Sequence, residues 1–269
     1  MGSRIGIIAG SGQFPLEALD AARKQGYDCV VAGIRGEAAP GLKLKAENFE
    51  WIGVSEFEKL IAYFKRTDVR EVVFVGKVEP NALFRKENRG GALASFLAQL
   101  KDKTPTSLLA AIFGLLSARG FSVKDPGFLL GPFLCPEGVL GRVEPSARIA
   151  ADIEFGWPIA AAVSDLEIGQ TVAVKETAIV AVESMEGTDE TVKRAGRLAG
   201  DGIVVVKAGR SRQDMRIDVP AVGLATVRGL ARIQAAALCI EADRVAFFQK
   251  TEALAVADAN GMAVISRKR

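Results

Sequence analysis

Short β-branched runs alternate with longer stretches of helical apolar spacing, and that alternation restricts the fold more than any other feature of the chain. Residues 4–9, 29–32 and 71–75 are rich in Ile and Val, while residues 16–25 and 56–66 repeat apolar side chains at helical spacing. A strand, a helix and a parallel strand join with one hand, so the pattern predicts right-handed βαβ units around a parallel sheet. Two further helices are predicted at 92–101 and 105–119. Thr104 is an N-cap for the second, Pro105 opens it and Gly120 stands beyond its end.

The rhythm then breaks. PGFLLGPFLCPEGVLGRVEP, residues 126–145, holds four prolines and four glycines, which suit neither helix nor strand interiors. Beyond it a helix is predicted at 146–163 and strands at 171–175 and 178–183. A helix at 189–198, strands at 203–207 and 215–219, and a helix at 224–235 follow. Strands at 237–241 and 245–249, a helix at 252–260 and a strand at 263–266 complete the chain. The fold class is therefore α/β in two α/β domains. Residues 1–130 form the N-terminal, Rossmann-like one, 131–145 a Pro/Gly-rich linker, and 146–269 the C-terminal one.

The chain has no histidine, which removes the usual general base at neutral pH and the commonest metal ligand. Chemistry here runs on carboxylates, hydroxyls, backbone amides, Lys and Arg, with any cation a hard, oxygen-liking one such as Mg²⁺. A net charge of +3 is too small for bulk nucleic-acid binding, although Arg210, Arg212 and Arg216 cluster locally. Cys29, Cys135 and Cys239 lack the spacing of a zinc site, redox motif or disulfide framework and read as buried apolar side chains in a reducing compartment. No secretory leader or spanning helix is read from the sequence, so the expected location is cytoplasmic.

The segment KAGRSRQDMRIDVPAVG, residues 207–223, concentrates the chemistry. Read as a strand over 215–219, it places Asp214, Arg216 and Asp218 on one face and Met215, Ile217 and Val219 on the other. Asp218 then lies at a strand's carboxyl end before the next helix, where α/β sheets bind ligands and helix N-termini favour phosphate. Arg216 supplies a phosphate-matching fork, and Asp218 holds a metal or orients water. A surface Arg–Asp ladder worth about 0–1 kcal/mol is the competing reading.

Gly10-Ser11-Gly12, after the first strand, lets the backbone approach a phosphate or sugar, but Pro15 occupies the place of a dinucleotide site's third glycine. A plain strand–helix turn explains it equally. Lys77 belongs on the same sheet edge, as a ligand contact or a solvated lysine. Glu186-Gly187-Thr188-Asp189 opens a helix, with Thr188 as its cap, and Gln170 can hydrogen-bond a ligand. The apolar run at Leu108–Phe113, continued by Leu115 and Leu116, faces most of a helix circumference. It serves either core burial or an acyl-chain groove.

Taken in order, IGIIAGSGQFPLE, PEGVLGRVEPS, IGQTVAVK, VESMEGTDE and RQDMRIDVPAVG resemble the UDP-2,3-diacylglucosamine pyrophosphatase family of the LpxI type. The resemblance implies hydrolysis of UDP-2,3-diacylglucosamine to UMP and 2,3-diacylglucosamine 1-phosphate (lipid X) in lipid A biosynthesis, with water attacking the β-phosphorus. It implies a Mg²⁺ or Mn²⁺ cofactor and maps the family's important aspartate onto Asp218, as catalytic residue and metal ligand. Gly10, Ser11, Gly12, Lys77, Gln170, Glu186, Gly187, Thr188, Asp189, Gln213 and Arg216 are the expected substrate contacts. Peripheral contact with the inner face of the inner membrane and a homo-oligomer are open expectations; nucleic acid is not an expected partner. A non-catalytic nucleotide-sugar-binding regulatory module is the alternative, and a nicotinamide-dependent dehydrogenase is disfavoured by Pro15.

Overall fold

The computed structural model describes residues 3–78, 105–212, 214–216 and 218–269. Thr104, the helix expected at 92–101 and the candidate Gln213 lie outside the described residues. The chain divides into two compact units. Unit 1 comprises Met1–Pro132 with Asp214–Val219, and unit 2 comprises Phe133–Gln213 with Pro220–Arg269.

Unit 1 is built on five parallel strands: β1 (Arg4–Ala9), β2 (Asp28–Ile34), β3 (Asn48–Ile52), β4 (Glu71–Val75) and β5 (Ser122–Lys124). Their order is β3-β2-β1-β4-β5. Ile5, Ile7 and Ile8 of β1 are all buried, the continuous apolar run of a strand covered on both faces. The order of the strands reverses between β1 and β4, as in doubly wound nucleotide-binding folds. Among the described residues the unit also holds helices α1 (Phe14–Lys24), α2 (Gly41–Lys45), α3 (Phe57–Arg66), α4 (Pro105–Ala118) and α5 (Gly127–Leu130). On α3, Phe57, Leu60, Ile61 and Phe64 form one buried stripe at helical spacing. Such burial contributes roughly 1.5–3 kcal/mol per large side chain. Leu108 and Leu116 of α4 join the same core, with Ile112 and Leu115 packed against it.

Unit 2 holds a mixed sheet of β6 (Gly138–Val139), β7 (Thr171–Lys175), β8 (Ala178–Val182), β9 (Val204–Lys207), β11 (Ala237–Glu241) and β13 (Ala263–Arg267). Their order is β6-β13-β11-β9-β7-β8. Strands β9, β11 and β13 are mutually parallel, while β6, β7 and β8 pair antiparallel with their neighbours. A separate parallel pair joins β10 (Ala221–Val222) to β12 (Ala246–Phe247). Val172, Val174, Val204 and Val206 share a core with Ile153, Trp157 and Ala160 of α6 (Ala147–Asp165). Their neighbours Ala173, Ile203 and Val205 turn the other way. They meet Val192 of α7 (Thr188–Ala199), Leu230 of α8 (Leu224–Arg232) and Ala257 of α9 (Lys250–Ala259). Period-two alternation thus builds a helix–sheet–helix sandwich.

Local signals account for several boundaries. Ser146 caps α6, its hydroxyl accepting the Ile149 N–H at 3.4 Å. Asp152, 1% exposed, accepts the Glu176 and Thr177 N–H groups at 3.3 and 2.7 Å, which pins the β7–β8 hairpin. All three cysteines are free and buried, and burial pushes the Cys239 thiol up to about 12.

The structure differs from the sequence expectation at several points. Residues 215–219 form no strand among the described residues: Met215 and Arg216 lie in a turn. The stretch expected to link two domains carries a short helix, α5, a 3₁₀ turn at Gly131–Phe133 and the edge strand β6, whose neighbour Leu140 donates its N–H to Val264 O at 2.8 Å. Strands β3 and β5 were also unforeseen: Asn48–Ile52 mixes polar and aromatic residues, and Ser122–Lys124 is only three residues long.

Candidate functional site

Gly10 and Gly76 follow β1 and β4, so the turn between Gly10 and Gly12 meets Lys77 where the strand order reverses. The Gly10 N–H donates to Val75 O (2.8 Å), Ser11 N–H to Lys77 O (2.6 Å), and Lys77 N–H to Ser11 O (3.1 Å). The Ser11 hydroxyl adds a bond to Lys77 O at 2.9 Å. A Cβ on Gly10 would stand 2.2 Å from that carbonyl, so only glycine permits the approach. Gly10, Ser11 and Lys77 are therefore brought together as expected, but through backbone pairing that uses the amides of Gly10 and Ser11. The Lys77 side chain is exposed beside them.

The segment Asp214–Val219 clusters with unit 1. Asp214 accepts Arg216 Nε at 2.9 Å and Nη2 at 2.7 Å through its two oxygens, and Oδ1 also takes the Arg216 N–H at 3.0 Å. The Asp218 N–H reaches Asp214 O at 3.3 Å. This is the physical reason the expected strand fails: a carboxylate bonding the backbone two residues on offers the chain a turn in place of a ladder. Asp214, Arg216 and Asp218 accordingly do not share the face of a strand, and Asp218 does not end one.

The Arg216 guanidinium lies over the ring of Phe113, 5.8 Å from its centroid, and that ring packs on Phe74 of β4 at 5.0 Å. The bonds to Arg216 hold the Asp214 carboxyl below the usual range, and Asp214 in turn raises the guanidinium. Asp125, directly after β5, adds to the negative field at Arg216 and accepts the Gly127 N–H at 2.7 Å. Sequence reasoning missed Asp125, although a carboxylate placed immediately after a strand is a readable signal in this fold class.

In unit 2 a second charged group is buried. Lys207, at the end of β9 and 3% exposed, donates to Thr188 Oγ1 at 2.9 Å and Thr171 Oγ1 at 3.3 Å, with Glu183 Oε2 at 3.7 Å. Glu183 accepts the Thr188 hydroxyl at 3.0 Å and the Gln170 N–H at 3.2 Å. Burial pushes the Glu183 carboxyl up, but Lys207, the Thr171 and Thr188 hydroxyls and the Gln170 amide outweigh it and hold the group below its usual range. Gln170 and Thr188 are thus joined around Lys207 and Glu183, neither of which was singled out from the sequence. A lysine closing an all-valine strand was the available sign.

The rest of that motif is committed to neighbouring structure. Thr188 does not cap α7; Gly187 holds the N-cap position with φ +81°. Glu186 takes Arg194 Nη2 at 2.5 Å, the Ser184 N–H and the Thr191 hydroxyl. Asp189 accepts the Thr226 hydroxyl of α8 at 3.1 Å.

Two family descriptions divide the chain near the same boundary, the second also spanning Asp214–Val219. Residues 4–131 match the LpxI N-terminal domain and residues 136–265 the LpxI C-terminal domain. The chain belongs to the LpxI family. A curated relative from Caulobacter vibrioides, named UDP-2,3-diacylglucosamine pyrophosphatase LpxI, is 29% identical, the match covering 97% of this chain and 96% of that one. Two solved structures show a loose likeness. L-threonine dehydrogenase from Phytophthora infestans is 19% identical, over 45% of this chain and 34% of that one, with a TM-score of 0.30. Glycinamide-RNase-transformylase T from Mycobacterium tuberculosis is 13% identical, over 68% and 44%, with a TM-score of 0.24.

Proposed function

We propose that this LpxI-family chain hydrolyses the pyrophosphate of UDP-2,3-diacylglucosamine, releasing UMP and 2,3-diacylglucosamine 1-phosphate, a step of lipid A biosynthesis. Family membership and the name of the Caulobacter relative support the activity. The observation that carries the assignment of residues is the Asp214–Val219 segment, which sets a fork-bonded arginine beside a second carboxylate in unit 1.

Asp214 fixes the plane of the Arg216 guanidinium, and a planar guanidinium so held is suited to a phosphate oxygen pair. Asp218, half-buried in the same turn, is the carboxylate we assign to catalysis: it orients the attacking water or binds the cation. Gly12 and the exposed Lys77 lie where a doubly wound sheet receives phosphate. Among the described residues no helix is long and apolar enough to cross a membrane.

The donor set fits a hard cation in one way. No group of three or more His, Cys, Asp or Glu side chains converges among the described residues, which does not match an all-protein cage. Mg²⁺ is commonly held by one or two carboxylates with waters and substrate phosphates, and Asp218 can provide such a ligand. A bound Mg²⁺ or Mn²⁺ would stabilise the charge developing on the pyrophosphate oxygens. The test is release of UMP from UDP-2,3-diacylglucosamine by the purified protein. Turnover is expected with Mg²⁺ and its loss in excess EDTA, restored by Mg²⁺ or Mn²⁺. Undiminished turnover in EDTA would overturn the metal requirement, and no turnover under any condition would overturn the hydrolase.

A further inference from the structure

The segment carrying Arg216 and Asp218 leaves unit 2 after Gln213 and rejoins it at Pro220. On the incoming side, three charged side chains of unit 2, two of them paired with each other, grip consecutive backbone groups. Glu241, 2% exposed at the end of β11, accepts the Gly209 N–H at 2.9 Å. Arg244 sets Nε 3.1 Å from the other Glu241 oxygen and donates from Nη1 to Arg210 O at 2.5 Å and Ser211 O at 3.3 Å. Asp165, ending α6, accepts the Ser211 N–H at 2.7 Å and is held by Arg269 at 2.5 Å.

The grip is close. A Cβ on Gly209 would meet Arg244 Cδ at 2.7 Å and the Pro220 ring at 3.3 Å. On the outgoing side Pro220 O accepts the Ala246 N–H at 2.8 Å, and β10 pairs with β12 immediately after. Both ends of the six-residue excursion are thus fastened. Burying a carboxylate such as Glu241 opposes folding unless its bonds are well made, and here they are made to the backbone that leads into the excursion.

We infer that Glu241, Arg244 and Asp165 are positioning residues: they fix the backbone of Gly209, Arg210 and Ser211, the stretch of chain that leads into the segment carrying Arg216 and Asp218. The inference rests on the proposed hydrolysis, and an independent readout separates the two. Misplacing a reacting group by about 1 Å can cost ~10²-fold in rate even when the change is remote from the chemistry.

The experiment compares wild type, Arg244→Ala, Arg244→Lys and Asp165→Ala by UMP release in Mg²⁺, thermal unfolding and amide exchange of a peptide spanning 208–219. Asp152→Asn, at the buried hairpin contact of the same unit, is the structural control. Arg244→Ala is expected to lower kcat by about 10²-fold while KM stays within about threefold, with faster exchange at 208–213. Arg244→Lys keeps the charge facing Glu241 but not the two-carbonyl reach, and so recovers part of the rate. Asp165→Ala loosens the same amides, and Asp152→Asn lowers Tm with kcat retained. The inference is overturned if Arg244→Ala keeps kcat within twofold of wild type, or if its rate loss merely follows Tm as far as the control's does. Should wild type release no UMP, the hydrolytic reading and the catalytic half of the inference fall together. Exchange then still decides the clamp, and unchanged exchange at 208–213 would refute it.

Discussion

At the carboxyl edge of unit 1 the charges are accessible: the Lys77 side chain is exposed, and Asp214 with Arg216 is 34% and 43% exposed. In unit 2, Lys207 and Glu183 are 3% and 8% exposed, and each is enclosed by hydroxyl and amide partners. The two regions suit opposite tasks. Exposed charges on a turn held by a rigid sheet can exchange solvent for a ligand, whereas a buried pair with satisfied bonds behaves as framework. The difference fits the proposal that reaction chemistry belongs to the turn around Asp218, while the Lys207 network holds Gln170 and Thr188 in place.

The largest stability effect expected from this contrast is at Lys207. Lys207→Met leaves Glu183 buried without its cation, and breaking a buried pair from one side costs about 3–5 kcal/mol. Urea unfolding should show that loss, while a comparable Lys77→Met leaves the midpoint unchanged. Equal effects at the two lysines would erase the distinction. Gly10→Ala comes next: its methyl group meets Lys77 O, and overpacking of this kind costs about 1–3 kcal/mol. Retained stability and activity in that variant would mean that the Ser11–Lys77 pairing is dispensable.

The smallest effect is in pH dependence, and it sharpens the comparison within unit 2. Glu183 is held below the usual range, so its contribution is present above the ordinary glutamate pKa and is lost as pH falls through the lower folded value. Burial pushes Glu241 the other way, against the Gly209 N–H and Arg244. Its contribution is full below the ordinary value and is lost as pH rises through the folded one. The wild-type advantage over Glu183→Gln should therefore shrink toward acid, and that over Glu241→Gln should shrink as pH rises. Slopes of the same sign in urea unfolding would contradict these environments.

The framework was legible where the signals are local. Arg4–Ala9, Glu71–Val75 and the helix that follows Ser146 depend on apolar runs and on spacing, which neighbouring residues specify. Residues 215–219 misled because alternating apolar and charged residues are common to a strand and to a turn. Only the bonds from Asp214 to Arg216 decide between them. Of the expected contacts, Gly10, Ser11 and Lys77 converge, and so do Gln170 and Thr188; Glu186 bonds Arg194 and Thr191 of the helix it precedes, and Asp189 ties that helix to Thr226 of the next. Lys207, Glu183 and Glu241 were hidden because burial of a charged residue is set by tertiary neighbours, which sequence spacing does not encode. Their partners lie between 3 and 36 residues away.

The central claim is that Asp218 performs chemistry while Asp214 positions Arg216, and kcat at saturating UDP-2,3-diacylglucosamine in Mg²⁺ for the two alanine variants tests it most directly. Asp218→Ala should lose ~10²–10⁴-fold in kcat with Tm preserved, the range expected for removing a general-base or charge-stabilising group. Asp214→Ala should lose no more than about tenfold, because the guanidinium loses its orientation and keeps its charge. A near-wild-type kcat for Asp218→Ala, or unfolding of that variant in place of inactivation, would contradict the assignment.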